Sequence, residues 1–212
     1  GLTGETGVKY MSEEMEKSGY AALQYGSEQF GIAANASVSS FGHLVAGGTA
    51  GKESPSAYDQ YAWSVKSKNR IGERSFLTTG LQYLRQDDVP RFDQVVSGRY
   101  LNYSFEPQIR FLGYSRLGVF RSNPLFRQVV LTASYQRSIE GRTKVRPDNP
   151  VVTREKDDVH TIGINAEVHS RLAANWQMIS GIEYYGDYVE SWRKDRDTEN
   201  GVVADKRGLY AD

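Results

Sequence analysis

Residues 125–136 read Leu-Phe-Arg-Gln-Val-Val-Leu-Thr-Ala-Ser-Tyr-Gln. Leu125, Val129, Leu131, Ala133 and Tyr135 alternate with Gln128, Thr132, Ser134 and Gln136, the period-two signature of a strand with one apolar and one polar face. After a long polar interval the alternation returns: Ile162, Ile164, Ala166 and Val168 on one side, Thr161, Asn165, Glu167 and His169 on the other. A tight turn at 171–175 leads into Trp176, Met178, Ile182 and Tyr184, opposite Gln177 and Glu183. Three such strands predict an antiparallel meander with one greasy side and one wet side.

Upstream the same pattern repeats. A short alternating piece at 7–11 and a charged hairpin connection at 12–17 lead into Tyr20, Ala22 and Gln24. Phe30, Ile32, Ala34, Ala36 and Val38 follow a turn at 26–28; Tyr61, Trp63 and Val65 follow the Gly- and Ser-rich interval 42–58. Leu77, Thr79, Leu81 and Tyr83 follow a polar turn at 69–73, and Ile109, Phe111, Leu117 and Val119 follow a long connection around Pro90. About nine strands result. Connections near 26, 71, 122 and 173 are short, and those near 50, 95, 148 and 200 are predicted to be long loops.

Composition narrows the classes. The chain has no cysteine, so neither a disulfide framework nor a thiolate metal site is possible. Lys plus Arg and Asp plus Glu balance at 26 each, which removes the charge argument for nucleic acid. No apolar run approaches the ~20 residues of a membrane helix, but alternation dilutes hydropathy in a transmembrane β-barrel. The 14 tyrosines, with Tyr25, Tyr58, Tyr61, Trp176, Tyr184, Tyr185 and Tyr188 near strand ends, suit interfacial aromatic belts. Strand length and alternating loop length favour an all-β, up-and-down transmembrane barrel of the bacterial outer membrane. A soluble sandwich shares the alternation and is the main alternative.

Leu81-Gln82-Tyr83-Leu84-Arg85-Gln86-Asp87-Asp88-Val89-Pro90-Arg91-Phe92-Asp93 resembles the "SxxDVPRYDRL" segment of TonB-dependent outer-membrane receptors. Glu106-Pro107-Gln108-Ile109-Arg110-Phe111-Leu112 is similar to that family's "GPQxRLL" strand start, and Ala133–Glu140 to its "AYQRxEE" strand, in the same order. The match is nearest the haemoglobin/transferrin/lactoferrin-type branch and covers residues 76–212. It implies a barrel of ~22 strands around a plug. It also implies active uptake of an iron-containing ligand, siderophore or haem, driven by a TonB-type energy-coupling protein acting through the plug. Residues 1–212 then form a partial barrel domain, with plug and C-terminal strands absent, and the start at Gly1 reads as a cut inside a longer chain. Outer-membrane lipid is the expected surrounding; a resident cofactor is not expected. A porin-like or adhesive barrel is the second reading, and a soluble β-rich binding module the third.

Candidate ligand contacts are Asp87, Asp88, Arg91 and Asp93, where a strand leaves for an outer loop, with His43 as the best-placed imidazole for haem. The competing reading of the first four is a salt-bridged loop base turned by Pro90, which mixed charges favour. Ser170 beside His169 lacks an orienting acid, and Gly47-Gly48 and Gly51 lack a strand-to-helix context, so catalysis and phosphate loops find no support. Lys66-Ser67-Lys68-Asn69-Arg70 is expected at a short turn.

Overall fold

The computed structural model describes residues 1–49 and 51–211. Ten long strands form one antiparallel sheet in sequence order. They are β1 (Leu2–Met11), β2 (Glu16–Gly26), β3 (Phe30–Phe41), β6 (Tyr58–Gly72), β7 (Ser75–Asp87), β9 (Asn102–Phe120), β10 (Gln128–Val145), β11 (Val151–Ala173), β12 (Trp176–Asp197) and β13 (Gly201–Ala211). The small hairpin β4 (Leu44–Ala46) and β5 (Gly51–Glu53) fills the β3–β6 connection, and β8 (Val89–Pro90) pairs with β9. One short helix, α1 (Phe92–Val96), lies in the β7–β9 connection. β1 and β13 are the two edges, so the sheet is an open, partial up-and-down barrel wall.

The register carries the alternation across the whole sheet. Ala34 pairs with Val65, Val65 with Leu81, Leu117 with Leu131, Leu131 with Ala166, and Ala166 with Ile182. Every one of these residues therefore stands on the same face, as period-two pleating demands. The aromatic residues of that face run together toward the end where β7 leaves for β9. Trp63 stacks on Tyr83 at 5.8 Å, Phe111 meets Tyr135 at 6.3 Å, Tyr135 meets His160 at 6.0 Å, and His160 meets Tyr188 at 6.1 Å. An apolar band thus ends in an aromatic girdle.

Among the described residues nothing covers that face. Ile162, Ile164, Ile182 and Tyr184 are each more than half exposed, and Val130 and Ile139 are the buried hydrophobic residues among those described. The accessible surface is 14118 Å², whereas a compact soluble chain of 23.8 kDa would expose about 9,900 Å². A soluble sandwich stacks a second sheet on the first; the second sheet here is only the β4–β5 hairpin. The chain is a single β layer.

Several sequence expectations change. The sheet has ten long strands rather than nine. The intervals near 148 and 200 are not long loops: β10 and β11 run 18 and 23 residues and meet at the turn 146–150, and β12 runs 22 residues to a turn at 198–200. Apolar/polar alternation stops at Arg137 because both faces of this extension are polar, and cross-strand ion pairs replace greasy contacts. The β7–β9 connection is likewise shortened by β8, α1 and an early start of β9. Lys66 to Arg70 lie within β6, paired to β7, not in a turn. On β2 the apolar face is Ala21, Leu23 and Tyr25, while Tyr20 turns to the polar side against Gly7. Tyr58 stacks on Phe41 at 4.6 Å and Tyr185 packs on Gly163, both on the polar side rather than in the girdle.

Three tyrosines of the polar face lie flat on a glycine directly opposite in the ladder: Tyr20 on Gly7, Tyr114 on Gly80, and Tyr185 on Gly163. A Cβ at Gly80 would overlap the Tyr114 ring. The ring covers backbone that glycine leaves bare, so each pair works as one unit.

Candidate functional site

Beyond the girdle, the polar side of the long hairpins forms an ion-pair ladder. Register places Arg142 opposite Glu155 and Glu140 opposite Asp157, and one strand further Glu155 faces Arg193 and Thr153 faces Asp195. Arg142 contacts Glu140 at 3.5 Å and Glu155 at 3.7 Å, and also pairs with Asp157. Lys144 holds Glu155 at 2.7 Å, Thr153 donates to Asp195 at 2.7 Å, and Ser191 donates to Asp157 at 2.6 Å. The network is dense, yet among the described residues the buried Arg142 Nε makes no hydrogen bond, only its ionic contact with Glu140, and the buried Asn165 Oδ1 lower on the same face accepts none. Buried orphans of this kind are normally met by water or by another molecule.

Aromatic rings border the ladder. A bulge between Glu140 and Arg142 inserts an extra residue into β9 and brings Tyr103 opposite Lys144. Tyr100 and Tyr103 meet edge to face at 5.1 Å, with Lys144 5.2 Å and Arg91 5.4 Å from the Tyr103 ring and Arg146 5.5 Å from Tyr100. Tyr100, Lys144, Arg146, Thr153, Arg193 and Asp195 line a recess of 310 Å³. Lys144 and Arg91 have carboxylate partners of their own, so among the described residues Arg146, over Tyr100, is the recess cation left to meet an anionic group.

The candidates Asp87, Asp88, Arg91 and Asp93 divide into three settings. Asp87 ends β7 and accepts two hydrogen bonds from Arg85 Nε, at 2.7 and 3.0 Å. Asp88 turns the chain at φ 57 and lies beside Glu106, in the extension of β9 outside the apolar band. Burial first, and the Asp88 charge second, push the Glu106 carboxyl above its usual range. Arg91 and Asp93 close on each other through two contacts of 3.1 Å, and Gln94 Nε2 adds a third to Asp93 at 2.6 Å. The Arg91 guanidinium, with help from Gln94, holds Asp93 down to about 2. Among the described residues no three acids or imidazoles are grouped to hold a metal. Asp87, Arg91 and Asp93 are thus tied up in short-range ion pairs at the loop base, and Arg91 also lies over the Tyr103 ring.

His43 precedes β4 and is held by the far side of its own loop. Its Nδ1 accepts from the Ser56 N–H at 3.1 Å, and its Nε2 lies 3.4 Å from Ser54 Oγ. Both ring nitrogens are thus engaged by residues 54 and 56 of the same loop. Release of Ser56 would free one.

Sequence reasoning missed the ladder and the Tyr100–Tyr103 recess. The available signal was cross-strand: once the turn at 146–150 is fixed, Arg142, Lys144, Glu155 and Asp157 fall on one side with opposite charges adjacent.

Comparison with known proteins matches the architecture alone. No family model matches the chain, and no curated protein does. Among solved structures, the copper transporter OprC aligns with a TM-score of 0.69 at 12% identity, over 94% of this chain and 29% of its own length. At that identity the likeness is one of fold, and this chain spans under a third of the matched protein.

Proposed function

We propose that the chain is part of the wall of a TonB-dependent outer-membrane transporter that takes up a metal-containing ligand, with iron, as siderophore complex or haem, as the cargo. The observation that carries the reading is the single-layer sheet: an uncovered apolar band ending in an aromatic girdle on one side, and a continuous polar, hydrogen-bonded side on the other. The fold likeness to a copper transporter supports it, as do the three sequence segments that resemble the receptor family. The recess lined by Tyr100 and Arg146, whose guanidinium has no carboxylate partner among the described residues, favours an anionic chelate over a neutral solute.

The test uses the intact gene in its own host. Deleting it is expected to abolish accumulation of a labelled iron chelate or haem, and inactivating the energy-coupling protein is expected to do the same. Copper accumulation, measured in parallel, separates iron from the cargo of the structural neighbour. Uptake that survives loss of the coupling protein would overturn the reading in favour of a porin-like pore.

A further inference from the structure

The opposite end of the sheet, where the connections are short, carries cations that transport leaves without a task. Arg74 closes the β6–β7 turn, Arg121 and Arg127 bracket the β9–β10 turn, and Arg171 precedes the β11–β12 turn with His169 just before it. Main-chain hydrogen bonds lock these positions side by side. Phe120 N–H donates to Arg74 C=O at 2.8 Å, Arg121 N–H to Arg127 C=O at 2.8 Å, and Arg127 N–H to His169 C=O at 2.9 Å. The intervening turn Pro124–Phe126 is capped by Asn123 Oδ1, which accepts from Leu125 N–H at 2.9 Å. It is pinned by the buried Ser170 hydroxyl, which donates to Leu125 C=O at 2.6 Å. The four arginines and His169 line one cavity of 510 Å³.

His169 has the Glu167 carboxylate 3.4 Å away, whereas among the described residues the charge of the four arginines is uncompensated. Arg85, Arg91, Arg137, Arg142 and Arg193, at the loop end, each hold a carboxylate. Among the described residues no ion pair includes Arg74, Arg121, Arg127 or Arg171; Arg74 donates to the Ser122 hydroxyl, and Arg171 to the carbonyls of Ala173 and Ala174. Like charges held together by a fixed backbone repel unless an anion enters, and planar guanidinium forks match phosphate oxygens best. The same rim exposes large apolar side chains: Leu125 55%, Phe126 51% and Trp176 64%. Cation and grease at one level is the chemistry of a lipid headgroup boundary.

We propose that this cavity binds the phosphate of an anionic glycerophospholipid at the short-turn rim. The inference rests on the sheet being a bilayer-spanning wall.

The test is made on the full chain in a neutral maltoside detergent, with dihexanoyl-phosphatidylglycerol as probe and Trp fluorescence and native mass spectrometry as readouts. Saturable binding is expected, weakened at least tenfold in R121Q/R127Q and unchanged in R99Q, which removes an exposed loop charge at the other end. The single variant R127Q, at an exposed turn residue, is expected to lose part of the affinity and guards against misfolding of the double variant. Equal affinity in wild type and R121Q/R127Q would overturn the site. Inorganic phosphate competing as strongly as the lipid would overturn the lipid assignment in favour of a free-anion site, and poly-glutamate competing as strongly would overturn it in favour of an acidic protein segment. Insertion into vesicles is scored separately, so failure of the membrane-wall reading shows as a distinct result.

Discussion

Arg142 faces Glu155 across the β10–β11 ladder, and from there its guanidinium also pairs with Asp157 two residues along the same strand. One cation thus neutralises two carboxylates, with Glu140 3.5 Å away as a third.

Replacing Arg142 by Met leaves Glu140 facing Asp157 across the ladder, while Lys144 and Arg193 still hold Glu155. With the arginine side chain 26% exposed, the hairpin is expected to lose about 1–2 kcal/mol, above the surface-pair range but below a fully buried network. Hydrogen exchange should show this as faster opening of residues 140–157, with the strands between the girdle and the short turns unchanged. Uniform protection would mean that the ladder contributes nothing.

The Arg91–Asp93 pair makes α1 pH-sensitive. Asp93 is held at about 2, below its unfolded value of 3.8. A depressed acid stabilises the fold above the unfolded value, and that contribution is lost as pH falls from roughly 4 toward 2. Exchange protection of residues 92–97 should therefore fall across that window, and D93N should remove the dependence.

The two faces answer differently to the same residue. Ile164 is 57% exposed in the middle of the apolar band, and I164R should cost about 2–4 kcal/mol of folding free energy in bilayers. Q136R, on the polar side, should stay within about 0.5 kcal/mol. Guanidinium unfolding of vesicle-inserted protein reads both, and equal costs would reverse the assignment of faces.

Gly80 and Tyr114 should behave as one unit. G80A displaces the ring and is expected to destabilise by about 1–3 kcal/mol, while G80A/Y114A should cost less than the two single changes added together. Strict additivity would show that the ring does not rest on the glycine.

The strands between the short turns and the girdle are legible in the sequence because one face is apolar: Val129, Leu131, Ala133 and Tyr135 need no partner to be recognised. Beyond Arg137 the information changes kind. Lys144, Glu155 and Arg193 signal strand only in relation to one another, and that relation exists only once the register is set. The pairs Arg85–Asp87 and Arg91–Asp93, by contrast, join sequence neighbours and are open to inspection in the sequence. Nothing local announces that Tyr103 will stand beside Lys144, because a bulge at Gly141 decides it.

The long hairpins change how this end of the molecule can diversify. A flexible loop tolerates insertion and single replacement; a paired ribbon does not. Reversing the charge of Glu155 sets it against Arg142, Lys144 and Arg193 until one of them changes as well. Any molecule that meets this end of the sheet therefore finds a stiff, patterned surface in which a charge reversal needs a matching change on a neighbouring strand.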